Sequence, residues 1–286
     1  MAEARCPASC GELIQGWIAG GEKLVSCPID WYSDVSVGEG PPARDERPLS
    51  RRMLSQVVAH FGYRPGDLPP LRIDCHSTIP IAKGLASSTA DIAATAVATA
   101  RLLRQSLDEV TLAQLCLRLE PTDSTVFQAL TLFDHHTGAC HITHAWQPAL
   151  GIIILESPDT LTTAAFHRRI GNDRLLRQAD QLDRAWRLFQ RACSTESPRL
   201  LGEAATLSAQ ARNQLLPKPA FDALLRLVER EDLYGINVAH SGTVVGLLLD
   251  PRHHDVERLL AALAAYGILR HYPRQHISRM VPGGVR

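Results

Sequence analysis

The sequence predicts an α+β fold, and three observations predict it. Segments with helical periodicity and segments with strand-like alternation mix along the chain without the regular strand-helix-strand repeat of a doubly wound sheet. The run Gly151 to Glu156 is apolar, strand-length and bounded by turn residues, as a buried strand should be. A tight turn at Thr78 to Gly84 joins an alternating stretch to the alanine-rich segment Ser87 to Leu103, which has strong helix propensity.

Taken in order, Cys27 to Val37 has the alternation and β-branched content of a strand, and it enters a Gly/Pro-rich loop at Gly38 to Pro42. Met53, Leu54, Val57, Val58 and Phe61 then recur at helical spacing, with Ser50 as expected N-cap and Gly62 as stop. Leu71, Ile73 and Cys75 alternate with Arg72, Asp74 and His76, giving a half-buried strand before the turn and the alanine-rich helix. Thr111 to Leu119 reads as a short helix closed at Glu120-Pro121, because a residue before proline is pushed out of the helical region. Val126 to Phe133 and Ala139 to Ala145 read as strands or short segments around a histidine-rich turn. Beyond Gly151 to Glu156 come three helices, Asp173 to Cys193, Pro198 to Asn213 and Ala220 to Glu231; Leu175, Leu176, Leu182, Trp186 and Phe189 line one face of the first. Tyr234 to Ala239 and Val244 to Leu249 are strands around the turn His240 to Thr243, followed by a helix at Asp255 to Tyr266 and a strand at His276 to Val281. The composition divides near residues 146 to 151, giving expected domains 1–148 and 149–286.

Thirty Lys plus Arg balance thirty Asp plus Glu, and this zero net charge excludes a nucleic-acid partner, whose binding rests on phosphate neutralisation. Lys23, Lys83 and Lys218 are the only lysines. No apolar run approaches the ~20 residues of a membrane span, and the first residues lack the order of a secretory signal. The seven cysteines are scattered, with no Cys-x-x-Cys pair, which fits reduced thiols in a cytoplasmic protein.

Three clusters carry chemistry. Pro80 to Ala90 places small residues between a strand and a helix N-terminus, where free amides and the helix dipole attract phosphate. An ordinary capped helix would use the same residue types. The segment is neither a Walker A loop nor a Gly-x-Gly-x-x-Gly turn. Lys83 stands inside it, either drawing phosphates or pointing to solvent. Glu120 and Asp123 flank a Pro-containing turn, where two carboxylates three residues apart supply a metal ligand and a base for phosphoryl transfer, or are simply solvated turn residues. His135, His136, His141 and His144 form a third cluster, read as a surface hairpin rather than a metal site because no rigid ligand spacing is evident.

Pro80-x-x-x-Gly84-Leu85-x-Ser87-Ser88-x-Ala90 resembles the phosphate-binding motif of the GHMP kinases, with Ala86 where most members have glycine. Cys6 to Trp17 resembles the first motif of that family, and His240-Ser241-Gly242-Thr243-Val244 its third, although glycine-poor. Ser26-Cys27-Pro28, Gly84 to Asp91 and Glu120 to Asp123 extend the resemblance across both halves.

The resemblance implies a two-lobed α+β fold with the active site between the lobes. It also implies ATP and Mg²⁺, with phosphate contacts from Pro80, Lys83, Gly84, Leu85, Ala86, Ser87, Ser88 and Thr89, and Mg²⁺ on Glu120 with Ser88 or Ser87. It places Asp123 beside the acceptor hydroxyl and the acceptor contacts among Ser9, Glu12, His240, Ser241, Gly242 and Thr243; His240 reads equally as a buried structural histidine. The implied reaction takes ATP and L-threonine to ADP and O-phospho-L-threonine, feeding the aminopropanol linker of cobalamin. Homoserine or another small alcohol, or ATP binding without turnover, are the alternatives.

Overall fold

Two long strands, β1 (Ala2–Ile18) and β2 (Gly21–Glu39), form a hairpin that runs through the molecule, turning at Ala19 and Gly20, both with positive φ. The computed structural model describes residues 1–64, 66–139, 141–159, 172–239 and 242–286. Next along the chain are α1 (Pro48–His60), β3 (Leu71–Ser77), α2 (Ser87–Leu102), α3 (Glu109–Leu117), a 3₁₀ turn at Ser124–Val126, and strands β4 (Leu130–Phe133) and β5 (His141–His144). The later half supplies β6 (Gly151–Glu156), α4 (Asn172–Leu176), α5 (Ala179–Thr195), α6 (Pro198–Leu215), α7 (Phe221–Arg230), β7 (Gly235–Val238), β8 (Val245–Leu249), α8 (Val256–Ala265) and β9 (Arg274–Arg279).

The described strands join one antiparallel sheet in the order β5-β4-β2-β1-β7-β8-β6-β9, with β3 also paired to β2. Within that sheet β1 and β7 share the single pair Glu12 and Val238. A bridge between Ile29 and Met280 reinforces it.

Helix α2 is buried nearly all round and lies against β1 and β2, with α1 and α3 beside it. Its alanines permit that close approach while keeping high helix propensity. The core beneath it also takes Leu182, Trp186 and Phe189 of α5 and Leu201 and Ala204 of α6. A second core, built on Ile153, Leu155, Phe221, Leu224, Leu247 and Tyr272, belongs wholly to the later half.

Several elements differ from expectation, each for a physical reason. β1 lacks alternation because Cys6 to Gly16 is buried on both faces, as a strand in the middle of a covered sheet is. Helix α1 starts at Pro48, whose fixed φ suits the first turn, and Ser50 is buried inside the helix rather than capping it. The expected helix Asp173 to Cys193 is broken before Ala179, and Leu176 is 44% exposed while Leu175, Leu182, Trp186 and Phe189 are buried. Val126 to Phe133 divides into a 3₁₀ turn and a short strand. The histidine-rich segment is not uniformly superficial, because His135 is buried.

Candidate active site

The phosphate loop is built from left-handed backbone. Ala82, Gly84 and Ala86 all have positive φ, and Ala86 occupies the N-cap position of α2 with φ 58° and ψ 28°. That conformation costs an L-residue about 1–2 kcal/mol, so a glycine there is less strained; the alanine methyl changes the energy of the turn without changing its path. No side chain caps α2. Its first amides and positive dipole end are therefore open to an anion.

Three distant segments are fastened together at this loop. In β1, register shifts between Pro7 and Ala8, Ser9 and Glu12, and Glu12 and Ile14 disrupt the ladder and release backbone groups. The Ser9 amide then donates to Leu85 O at 3.1 Å and the Gly11 amide to Gly84 O at 3.3 Å. From the turn before β8, the Thr243 and Val244 amides donate to Lys83 O at 3.0 and 3.2 Å. Glycine is required at these crossings: a Cβ on Gly84 would lie 2.3 Å from the Ala239 Cβ, and one on Gly242 only 2.1 Å from Lys83 O.

The lysine and the first-motif serine brace the backbone here. The Lys83 ammonium donates to the Ser157, Pro158 and Asp159 carbonyls at 2.7, 3.1 and 2.7 Å. The Ser9 hydroxyl donates to Gly11 O at 2.5 Å and accepts from the Cys27 amide at 2.9 Å. Thr243 Oγ1 donates to Asp159 O at 3.0 Å. His240 and Ser241 lie outside the described residues.

The carboxylates sit directly beside the start of α2. Thr89, in its first turn, donates from Oγ1 to Asp123 Oδ2 at 3.1 Å and accepts from the Asp123 amide at 3.4 Å. Reciprocal bonds between Ser26 and Ser124, at 2.8 and 3.0 Å, pin this loop to β2. Desolvation pushes the Asp123 carboxyl up to about 6, with Thr89 pulling it down and the Glu120 charge raising it further. Glu120 is also raised by burial, against a lowering hydrogen bond from Ser88. Its Oε1 is buried and accepts no hydrogen bond among the described residues. A hard-oxygen donor so placed, next to a serine hydroxyl, fits a Mg²⁺ ligand set.

Two charges that sequence reasoning missed, Arg212 and Lys218, group with Glu12, which it had named. Glu12 in β1, Arg212 in α6 and Lys218 are all buried. They interact electrostatically: burial depresses Lys218 to about 7, Arg212 lowers it further, and Glu12 opposes the shift. Burial also lowers Arg212, with Glu22 and Glu12 holding it up, and a guanidinium stays charged throughout. The Lys218 ammonium donates to Gly242 O at 2.5 Å, tying this group to the phosphate loop's partner turn. For Arg212 and Lys218 the one sequence signal was that Lys218, one of three lysines, is fixed between Pro217 and Pro219.

An open cavity of about 530 Å³ lies where β3 ends and the phosphate loop begins, lined by residues including Trp31, Tyr32, Arg47, Cys75, His76 and Thr78. A cavity of about 690 Å³ at Arg199, Tyr234, Asp250 and His253 shares no residue with the three motifs.

Residues 49–130 match the family described as the GHMP kinases N terminal domain. The chain is 58% identical over 286 residues to the L-threonine kinase of Salmonella typhimurium, covering all of this chain and 95% of that protein. It is 58% identical over 285 residues to the L-threonine kinase of Citrobacter freundii, covering 99% of it. The fold matches Methanococcus jannaschii mevalonate kinase with a TM-score of 0.73 at 15% identity, over 98% of each chain. It matches homoserine kinase from Cytophaga hutchinsonii with a TM-score of 0.70 at 14% identity, over all of this chain and 96% of that one. With a shared fold along its length and full-length relatives at this identity, the chain belongs to the GHMP kinase family.

Proposed function

We propose that the protein transfers the γ-phosphoryl group of ATP to the side-chain hydroxyl of L-threonine, releasing ADP and O-phospho-L-threonine. One observation carries this reading: the uncapped N-terminus of α2 and the Asp123 carboxylate are bridged by a single side chain, Thr89. A phosphate held on those amides therefore lies beside a group able to take a hydroxyl proton. The name of the two full-length relatives supports threonine as the acceptor.

In this mechanism the loop amides from Gly84 to Ser88 hold the phosphates, and the cavity at Trp31 and His76 receives the nucleoside. Glu120 with Ser88 would hold Mg²⁺, which, when bound, neutralises charge on the phosphate oxygens. The threonine hydroxyl oxygen forms a bond to the γ-phosphorus as the bond to the β-phosphate oxygen breaks, and its proton passes to Asp123. A carboxylate at about 6 is mostly ionised at neutral pH yet basic enough to accept that proton, which is the balance a general base requires. Glu12 and Arg212 offer the opposite charges that an amino acid's ammonium and carboxylate need.

The two lobes of the reading are residues 1–148 and 149–286, joined at the β1–β7 seam. Its cellular setting is the cytoplasm: all six cysteines among the described residues are free, and no described helix is long and apolar enough to cross a membrane. The product would supply the aminopropanol linker of cobalamin.

The test is ADP release with Mg²⁺-ATP across L-threonine, L-homoserine, L-serine, mevalonate and sugars, with the product identified by phosphorus NMR. L-Threonine should give the highest kcat/KM, with O-phospho-L-threonine as product. A higher kcat/KM with homoserine or mevalonate would overturn the acceptor assignment.

A further inference from the structure

The histidine cluster contains a site that the kinase mechanism does not use. Glu22 opens β2, opposite Trp17 across the hairpin. His135 and His136 follow β4, which pairs with β2. One ligand atom from each of Glu22, His135 and His136 falls within 4.8 Å of the others. His136 Nε2 is 3.2 Å from Glu22 Oε2, and the two imidazole centroids are 4.1 Å apart, tilted by 40°.

We propose that Glu22, His135 and His136 form a binding site for a divalent transition metal of the Zn²⁺ class, distinct from the Mg²⁺ ligands at Glu120. Two imidazoles and a carboxylate are the donor set of an open four-coordinate zinc site, with the fourth position left to water. Metal–ligand bonds of about 2.0–2.1 Å place tetrahedral ligand atoms ~3.4 Å apart. The His136–Glu22 edge, at 3.2 Å, already meets that separation, and the other two edges are no longer than 4.8 Å. His135 is 3% exposed, which shields one side of the site, while His136 is open to solvent and gives an ion its path in.

The loop that presents the imidazoles is prearranged. Asp134 Oδ1 accepts from the His136 and Thr137 amides at 3.1 and 2.9 Å, Oδ2 accepts from Thr137 Oγ1 at 2.6 Å, and Asp134 O accepts from the Gly138 amide at 2.8 Å. A ligand set on a loop so held loses little entropy on binding. Nitrogen donors also select against Mg²⁺, which prefers oxygen, so the ATP-bound metal would not fill the site. Glu22 lies within electrostatic reach of Arg212, and that guanidinium is the cation with which a metal has to compete.

The site has a route to the chemistry. His135 O accepts from the Thr122 amide at 3.1 Å, between Glu120 and Asp123. A metal clamping His135 to β2 would thereby stiffen the carboxylate loop from behind.

The test uses chelator-stripped full-length protein dialysed against Zn²⁺ in excess Mg²⁺. The wild type should retain one Zn²⁺ per chain and show a raised Tm with Zn²⁺. Co²⁺ in its place should give the visible absorption of a four-coordinate site. His136→Ala and Glu22→Gln should each weaken retention about tenfold or more and abolish the Tm shift, while His136→Ala keeps wild-type turnover with Mg²⁺-ATP alone. Cys75→Ser should leave retention unchanged. No retained Zn²⁺, retention unaltered in both ligand variants, or loss on Cys75→Ser would each overturn the proposal.

Discussion

The two sides of the active site are made of different materials. On the phosphate side, residues 80–89 work through backbone: left-handed turns, uncapped amides, and carbonyls fastened to β1 and to the turn before β8. On the proposed acceptor side, Glu12, Asp123, Arg212 and Lys218 offer side-chain charges held in partial or full burial. A backbone site is defined by what it excludes, above all a Cβ at Gly84 or Gly242. A charged site is defined by which groups are present and how desolvation tunes them. The first should therefore fail through added atoms and the second through removed ones.

The largest effect expected is at the backbone side. Gly242→Val puts side-chain atoms into the Lys83 carbonyl, so the variant should lose about 3 kcal/mol or more of stability and all measurable turnover, read by thermal unfolding and ADP release. On the charged side, Glu120→Gln should fold normally, lower kcat ~10²-fold and shift the Mg²⁺ titration to higher concentration. A smaller effect separates donor from acceptor: Lys218→Met should raise the KM for threonine ~10-fold and the KM for ATP by much less, since its ammonium faces the Glu12–Arg212 pair while its bond to Gly242 O is one of several that hold the phosphate-side turn. An equal rise in both KM values would erase the division between the two sides. The smallest effect expected is Ala86→Gly, which relieves the left-handed strain but frees the unfolded chain; stability should move by less than ~1 kcal/mol and turnover should be retained.

The same contrast governs what the sequence disclosed. Pro80 to Thr89 and Glu120 to Asp123 are contiguous, so they could be singled out in the sequence, although their residue types also suited a capped helix and a solvated turn and the family resemblance supplied their roles; α2 and β6 fall close to where periodicity placed them. Arg212 and Lys218 reach the site from α6 and the turn after it, some two hundred residues from Glu12, and nothing local marks them. A lysine or serine in a glycine-containing loop suits a brace and a ligand contact equally in sequence, and the hydrogen bonds of Lys83 and Ser9 to backbone depend on distant segments that no local pattern reveals. His135 was read as exposed because its burial depends on the distant β2 hairpin. The lysine scarcity acquires a reason as well: all three lysines are buried, with their ammonium groups on backbone carbonyls at residues 18–19, 157–159 and 242. In the proposed function the nucleotide is accordingly left to amides, the helix dipole and the metal ligands.

The tuning of Asp123 has a stability cost with a definite sign. Its folded pKa, about 6, stands above the unfolded value near 4, so the folded state binds the proton more tightly and stability falls as pH rises through that window. Asp123→Asn should therefore be more stable than wild type at pH 7, by up to about 3 kcal/mol at ~1.4 kcal/mol per pKa unit. That gap should close as the pH falls towards 4.

The most direct measurement is turnover of Mg²⁺-ATP and L-threonine by Asp123→Asn, with ATP affinity determined on the same preparation. The account predicts a fall in kcat of ~10²-fold or more with the ATP Kd unchanged within about twofold, because the base is removed while the backbone phosphate site is intact. Turnover within a few-fold of wild type would contradict it.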